Sequence, residues 1–143
     1  MSLANILLVD DEVPFVETMT KRLNKRGFEI ISTHSGQDAL DQLSKRRGIE
    51  VVILDVKMPG MDGIQTLEEI KRRFPITEVI MLTGHATVES AIEGMKLGAF
   101  DYLMKPCDME QLVSKVEAAT QRRRSHEEKI IQARMKEIAS RQA

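Results

Sequence analysis

At 143 residues with a formal net charge of −1, the chain has the length of a single domain and no bulk charge that points to nucleic acid or a membrane surface. Its composition, 42% hydrophobic and 30% charged, is ordinary for a globular protein, and no apolar run approaches the roughly 20 residues of a membrane span. The single Cys107 excludes an internal disulfide, and the N-terminus lacks a signal peptide, so we expect a cytoplasmic protein.

Strand-like and helix-like segments alternate along the chain. The predicted strands cover residues 5–9, 28–31, 51–55, 78–82 and 99–104. A helix follows each strand, and the first turns of the five helices are marked by Pro14, Ser35, Asp62, Thr87 and Asp108. In the first helix, Phe15, Met19 and Leu23 are spaced to form the core face. The alternation predicts an α/β fold with a parallel sheet, right-handed crossovers and five flanking helices.

The last predicted helix is unusually long. It begins near Met109 and meets no Pro or Gly before the end of the chain. We predict a domain over residues 4–120 and a basic helical extension or linker over residues 121–143, which holds seven Lys or Arg against three Glu. The run Arg122-Arg123-Arg124 has no interleaved aromatics, and we interpret it as a solvated helix face that does not contact nucleic acid.

Two interpretations of the extension are open. Its apolar residues Ile130, Ile131, Met135 and Ile138 fit a helix that pairs with a second copy, but they supply only two weak heptads. The alternative is a solvated or frayed helix.

Polar side chains follow four of the predicted strands. Because the carboxyl ends of parallel strands meet at one edge of a sheet, we expect Asp10, Asp11, Asp55, Thr83 and Lys105 to lie together there. The three carboxylates suit Mg²⁺, which prefers oxygen ligands. Asp55 stands alone at the end of the central strand, which makes it the best candidate for a nucleophile that forms an acyl phosphate.

The motifs that carry these residues have a specific order. They are Leu8-Val9-Asp10-Asp11-Glu12, Leu54-Asp55 followed by Met58-Pro59-Gly60-Met61-Asp62-Gly63, then Leu82-Thr83-Gly84, and Asp101-Tyr102-Leu103-Met104-Lys105-Pro106. Over residues 4 to about 120 the chain resembles the receiver domain of two-component response regulators. The resemblance implies the chemotaxis-regulator-like doubly wound sheet with strand order 2-1-3-4-5. The segment around Lys105 and the extended last helix resemble receivers of nitrogen-regulation-type transcriptional activators.

The resemblance also implies roles for these residues. Asp55 would accept a phosphoryl group from a histidine kinase or phosphotransfer protein. Asp11 and Asp55, with the backbone carbonyl of Lys57, would ligate Mg²⁺, and Asp10 would contribute through water. Lys105 would hold the phosphoryl group, with a cis peptide bond to Pro106.

A switch is part of the same resemblance. Thr83 would bond the new phosphate while Tyr102 moves from an exposed to a buried position. This would remodel the surface of the fourth helix, fifth strand and fifth helix, through which receivers dimerise or meet partners. Two positions that vary in the family, Lys57 and His85, would modulate dephosphorylation, and the alternative is that neither has a role.

These residues do not indicate what the switch controls. The chain is either a stand-alone receiver or part of a longer regulator, most often a transcription factor. A phosphatase of the haloacid dehalogenase type would need an acid two residues after the nucleophile, where this chain has Lys57. We therefore expect no enzyme turnover beyond self-phosphorylation from a phosphodonor and autodephosphorylation.

Overall fold

Five strands alternate with five helices in the computed structural model, which describes residues 3–85 and 87–142. The strands are β1 (Asn5–Val9), β2 (Glu29–Thr33), β3 (Val51–Leu54), β4 (Glu78–Thr83) and β5 (Asp101–Met104). The helices are α1 (Val13–Lys25), α2 (Gly36–Lys45), α3 (Gly63–Arg73), α4 (Val88–Lys96) and α5 (Met109–Gln142). The predicted order of elements is confirmed. The main shifts are in the second strand, which lies at residues 29–33 instead of 28–31, and in the fifth strand, which begins at residue 101 instead of 99.

The sheet is parallel, with strand order β2-β1-β3-β4-β5, as predicted. Its register pairs Val9 of β1 with Leu54 of β3, and Leu54 with Met81 of β4. The residues that follow β1 and β3 therefore emerge at the same level of the carboxyl edge. All four residues of β3 are buried, as expected for a central strand covered on both faces.

Two apolar layers cover the sheet. The layer formed with α1 and α5 includes Leu8, Leu23, Ile53, Leu112 and Val116. The opposite layer, formed with α2 and α3, includes Leu7, Leu40, Leu54, Leu67 and Ile70. Adjacent residues of β1 and β3 alternate between the layers, so both strands are held from two sides.

The core face of α1 differs by one position from the prediction. Val16, Met19 and Leu23 are buried, whereas Phe15 is only partly buried. Phe15 lies at the border of the core because its ring packs beneath the Lys105 ammonium at the carboxyl edge of the sheet.

Local capping fixes where the helices begin. Asp62 and Gln65 form a reciprocal capping box at α3, and Thr87 and Ser90 do the same at α4. At the start of α3, a Cβ on Gly63 would lie 2.0 Å from the Asp55 carbonyl oxygen, so only glycine allows this close approach. The Lys105–Pro106 peptide bond is cis, as predicted.

Helix α5 is continuous over 34 residues and leaves the domain after its first half. Its buried positions are Leu112, Val116, Ala119, Thr120 and Arg123, and every described residue after Arg123 is exposed. The apolar residues of the extension are 39–65% exposed. None of the described helices combines the length and the apolar character needed to cross a membrane. The domain boundary at residue 120 stays a prediction, and Ala143 lies outside the described residues.

The interpretation of Arg122-Arg123-Arg124 as a solvated face is only partly correct, because Arg122 and Arg124 are exposed but paired with carboxylates, and Arg123 is not exposed. Arg122 and Arg124 each form two hydrogen bonds to a carboxylate at the amino edge of the sheet, namely Glu78 and Glu50. Arg123 is buried. The first turn of the predicted extension is therefore fastened to the domain, and we call the two Arg–Glu pairs the basal clamp.

Candidate functional site

The carboxyl edge of the sheet holds three carboxylates from two neighbouring strands. One oxygen from each of Asp10, Asp11 and Asp55 lies within 4.8 Å of the others. Asp10 and Asp55 are 1% and 2% exposed, while Asp11 is exposed. The amide of Asp55 donates to the Val9 carbonyl at 3.0 Å, so β-sheet pairing continues up to this residue. The structure thus brings together the three residues that the sequence predicts for the cluster.

Asp55 is fixed by its own loop. Its Oδ1 accepts a hydrogen bond from the Val56 amide at 2.8 Å. Its Oδ2 lies 3.9 Å from the Lys105 ammonium nitrogen. One carboxylate oxygen is therefore engaged by the backbone, and the other faces the only cation that pairs with it among the described residues.

Lys105 links the carboxylates. Its Nζ donates to Asp10 Oδ2 at 2.7 Å and to Glu12 Oε1 at 3.1 Å, and it lies 4.0 Å from the centre of the Phe15 ring. Burial acts to lower the pKa of Lys105, but the hydrogen bonds and charges of Asp10, Glu12 and Asp55 outweigh it and raise that pKa. Lys105 is therefore a permanent cation in this site.

The surroundings of Asp10 disfavour the ionised form of its carboxyl group. Burial raises the pKa of the Asp10 carboxyl, and repulsion from Asp55 adds to the increase. Hydrogen bonds from Lys105 and from the Glu12 amide, at 2.9 Å, act in the opposite direction but do not cancel it. An additional cation beside Asp10 would relieve this cost.

The donor set fits a hard divalent cation such as Mg²⁺. Three carboxylates offer oxygen ligands at one point, and the exposure of Asp11 leaves the cluster open to water on one side. A cleft beside the cluster is lined by Asp11, Glu12, Lys57, Met58, Pro59 and His85. Lys57 and His85 therefore both lie beside the cluster. That the Lys57 carbonyl is a ligand stays a prediction.

Thr83 is buried at the end of β4. Its Oγ1 accepts a hydrogen bond from the His85 amide at 3.0 Å, and its carbonyl accepts one from the Lys105 amide at 2.8 Å. Thr83 thus lies between the loop before α4 and the segment that carries Lys105.

Tyr102 connects β5 to α4. The residue is partly buried, and its hydroxyl lies 2.7 Å from the hydroxyl of Ser90 in the first turn of α4. The outer surface of α4 is apolar: Val88, Ile92 and Met95 are 47–77% exposed, next to Met104 of β5, which is 61% exposed. Such a patch on a charged protein is typical of a protein-binding surface.

Sequence reasoning missed several partners of the predicted site. Glu12 lies within the quoted motif, but its ion pair with Lys105 was not predicted. Phe15 was assigned to the core, and Ser90 was not considered as the partner of Tyr102. The His34 ring nitrogen Nδ1 lies 2.9 Å from the Asp10 carbonyl oxygen. No sequence signal identifies His34, because its contact with Asp10 joins two adjacent strand ends only in the fold.

Comparisons with known proteins agree with this geometry. The model of the response regulator receiver domain matches residues 6–117. The transcriptional regulatory protein ZraR of Escherichia coli O157:H7 is 39% identical over 115 residues, which cover 80% of this chain and 26% of ZraR. The DNA-binding transcriptional regulator NtrC of Klebsiella pneumoniae is 36% identical over 112 residues, covering 78% of this chain and 24% of NtrC.

Solved structures show the same similarity. A receiver domain protein from Clostridium thermocellum has a TM-score of 0.81 at 37% identity, with 85% of this chain and 97% of that one covered. NtrX from Brucella abortus has a TM-score of 0.81 at 32% identity, with 90% of this chain and 29% of NtrX covered. The chain spans about a quarter of the length of the curated relatives that it matches. The chain belongs to the response regulator receiver domain family.

Proposed function

We propose that the chain is a phosphorylation-dependent switch in which Asp55 accepts a phosphoryl group from a histidine kinase or a phosphotransfer protein. The observation that carries the proposal is the position of Asp55, buried at the carboxyl end of the central strand, 3.9 Å from the ammonium of Lys105. The neighbouring carboxylates Asp10 and Asp11 supply the donor set for a cation. Family membership supports the same assignment.

The transfer forms one bond and breaks another. A carboxylate oxygen of Asp55 attacks the phosphorus of the phosphohistidine, the phosphorus–nitrogen bond breaks, and the imidazole leaves with the electron pair and takes up a proton. The product is an acyl phosphate on Asp55. Lys105 then exchanges part of its contact with Asp10 for a phosphoryl oxygen, which needs little movement because the Asp55 oxygen is already close.

Mg²⁺ would be held by Asp10, Asp11, Asp55 and the Lys57 carbonyl. When bound, it neutralises charge on the transferring phosphoryl group. The remaining work belongs to the protein. Asp10 and Asp11 hold the cation beside Asp55, and Lys105 provides the second positive charge.

The phosphoryl group would act on the rest of the domain through Thr83. To bond a phosphoryl oxygen, the Thr83 hydroxyl would turn from the His85 amide and draw the loop before α4 toward Asp55. Tyr102 would then leave Ser90 and occupy a more buried position. The apolar surface of Val88, Ile92, Met95 and Met104 would change shape, and a partner or a second copy would bind there.

Two further roles follow from the cleft beside the cluster. Lys57 and His85 line it together with Asp11, so either side chain can reach a water that approaches the acyl phosphate. We propose that both set the lifetime of the phosphorylated state. We also propose that the chemical activity of the chain is limited to self-phosphorylation from a phosphodonor and autodephosphorylation.

The proposal for what the switch controls rests on the relatives of the chain. ZraR and NtrC are named as transcriptional regulators and are about four times as long as the matched region. We propose that the chain regulates transcription in the cytoplasm, with α5 leading to an effector or pairing with a second copy. The domain itself would not contact DNA. The length of the native reading frame distinguishes a stand-alone receiver from the receiver of a longer regulator.

Labelling with a small phosphodonor tests the proposal. The chain is incubated with acetyl phosphate and Mg²⁺, and the intact mass is measured. We expect one added phosphoryl group in the wild type, none after chelation of Mg²⁺, and none in Asp55→Asn. Asp41→Asn is the matched control, because Asp41 is an exposed carboxylate on α2. Equal labelling of Asp55→Asn and the wild type would refute the assignment of the nucleophile.

A further inference from the structure

The backbone at the end of β1 is held by hydrogen bonds to both neighbouring strands. The amide of Asp10 donates to the Thr33 carbonyl of β2 at 3.2 Å, and the Val9 carbonyl accepts from the Asp55 amide at 3.0 Å. The pairing of β1 with β2 ends at Val9 and Thr33. The carbonyl of Asp10 therefore lies just beyond the paired residues. Because Asp10 is buried, this carbonyl needs a donor from elsewhere in the domain.

That donor is the imidazole of His34. Its Nδ1 lies 2.9 Å from the Asp10 carbonyl oxygen, and Nδ1 must donate because a carbonyl oxygen can only accept. The backbone of His34 is anchored on both sides. Strand β2 ends at Thr33, and the hydroxyl of Ser35 accepts from the Asp38 amide as the N-terminal cap of α2. The imidazole thus supplies a hydrogen bond at the point where the chain leaves the sheet and turns into α2.

The direction of the Asp10 carbonyl also determines where Asp11 lies. A peptide group is planar, so an oriented carbonyl fixes the amide and the Cα of the next residue. The Asp10 and Asp55 carboxylates are each held by hydrogen bonds within the domain, whereas Asp11 is exposed. The place of the Asp11 carboxylate therefore depends most on its backbone. A rotated peptide group would carry its oxygen away from the cluster, in which the three ligand oxygens lie within 4.8 Å of one another.

We propose that His34 is a positioning residue for the cation site. Its hydrogen bond holds the peptide group between Asp10 and Asp11 in the orientation from which the Asp11 carboxylate reaches the cation. This inference rests on the proposed role of the three carboxylates as a Mg²⁺ site. Mg²⁺ requires near-ideal octahedral geometry, so its affinity is sensitive to a misplaced ligand.

The expected size of the effect follows from the distance over which His34 acts. A group that hydrogen-bonds directly to a metal ligand commonly changes metal affinity by about 10–100-fold. His34 acts one step further away, through a backbone carbonyl, and the net contribution of one such hydrogen bond corresponds to about three- to tenfold in a binding constant. We therefore expect a loss of about three- to tenfold in Mg²⁺ affinity when the donor is removed.

Calorimetric titration of the full chain with MgCl₂ at constant ionic strength and neutral pH tests the proposal. His34→Phe keeps a planar ring and removes the donor, so it should weaken Mg²⁺ binding about three- to tenfold. His34→Asn places an amide nitrogen where Nδ1 lies and should stay within about twofold of the wild type. His34 is exposed, so both variants fold. Equal Mg²⁺ affinities of His34→Phe and the wild type, or of His34→Asn and a weakened His34→Phe, would overturn the proposal.

A matched control separates the hydrogen bond from a general effect of the substitution. His126 is also exposed, but it lies on the extension of α5, beyond the basal clamp. His126→Phe should change the Mg²⁺ affinity by less than about twofold, because its side chain is remote from the cluster. The titrations are made on folded protein, so a loss of stability alone would leave the affinity unchanged. An equal loss in His126→Phe and His34→Phe would refute the positioning role.

A double-mutant cycle tests whether His34 acts through Asp11. Asp11→Ala removes a charged ligand and should weaken Mg²⁺ binding by at least about tenfold. Adding His34→Phe to Asp11→Ala should then cost less than about a further twofold, because no carboxylate is left to position. A further loss as large as in the wild-type background would overturn the proposal.

The same titrations separate this inference from the proposed cation site. Absence of saturable Mg²⁺ binding in the wild type, or equally tight binding by Asp11→Ala, would refute the cation site and with it the role of His34. Tight binding by both the wild type and His34→Phe, with weak binding by Asp11→Ala, would refute the role of His34 alone.

Discussion

The basal clamp provides a quantitative prediction about α5. Arg124 donates from Nε to Glu50 Oε2 at 2.6 Å and from Nη2 to Glu50 Oε1 at 3.0 Å, and it also donates to the Leu3 carbonyl. The Glu50 side chain is 10% exposed. Its other hydrogen-bond donor among the described residues is the Asn5 amide, at 3.3 Å. Arg124→Met keeps the aliphatic stem and removes the charge. The nearly buried Glu50 carboxylate then loses the cation that pairs with it.

The magnitude of the effect follows from exposure. Removing one partner of a fully buried pair costs about 3–5 kcal/mol, and exposed pairs contribute about 0–1 kcal/mol. Arg124 is 55% exposed and Glu50 only 10%, so we expect Arg124→Met to lower the free energy of unfolding by about 2 kcal/mol. Arg122→Met should cost about 1 kcal/mol, because Lys71 stays 3.6 Å from Glu78 and continues to compensate its charge.

A double-mutant cycle isolates the pair. Glu50→Gln removes the charge that Arg124→Met leaves unpaired, so the double variant should recover at least about 1 kcal/mol relative to Arg124→Met alone. Urea unfolding followed by far-ultraviolet circular dichroism measures each variant, because the chain has no tryptophan. A cost below about 0.5 kcal/mol for Arg124→Met, or strictly additive single effects, would refute the stabilising role of the basal clamp.

Three further predictions concern the boundary, the acidic cluster and the phosphate lifetime. A chain that ends after Thr120 should have a free energy of unfolding at least about 3 kcal/mol lower than a chain that ends after Ser125, because only the longer form keeps the three arginines. Equal stabilities of the two forms in urea unfolding would contradict this. Asp10→Asn should stabilise the Mg²⁺-free protein, because burial raises the pKa of that carboxyl. The increase in the free energy of unfolding is present at neutral pH and disappears as the pH falls below about 4, where the wild-type carboxyl is protonated in both folded and unfolded states. An increase in urea unfolding that does not depend on pH would show that the charge of Asp10 is not the cause. Lys57→Ala and His85→Ala should each change the acyl-phosphate lifetime by about twofold to tenfold without preventing phosphorylation. The decay is followed by intact mass, and unchanged decay rates would show that neither side chain influences hydrolysis of the acyl phosphate.

The sequence predicted the sheet edge well for a physical reason. Buried strands such as residues 51–55 read as unbroken apolar runs, and a parallel sheet brings the residues that follow them to one edge. The cluster of Asp10, Asp11 and Asp55 therefore required only the order of elements and the strand order. The contacts of Lys105 with Asp10 and Asp55 belong to the same geometry.

The amino edge could not be predicted in the same way. Arg122 and Arg124 contact carboxylates that lie 44 and 74 residues earlier in the chain. A run of arginines on a helix looks the same in sequence whether it faces solvent or a buried carboxylate. The direction of each side chain was decided by how α5 crosses the ends of β3 and β4, which periodicity does not encode.

Locating the phosphoryl group tests the central claim most directly. The chain is labelled with acetyl phosphate and Mg²⁺, the acyl phosphate is trapped by borohydride reduction, and the modified residue is identified by peptide mass mapping. We predict modification of Asp55 alone, in the peptide that contains β3. Modification of Asp10, Asp11 or Glu12 with Asp55 untouched would contradict the assignment of Asp55 as the residue that changes state.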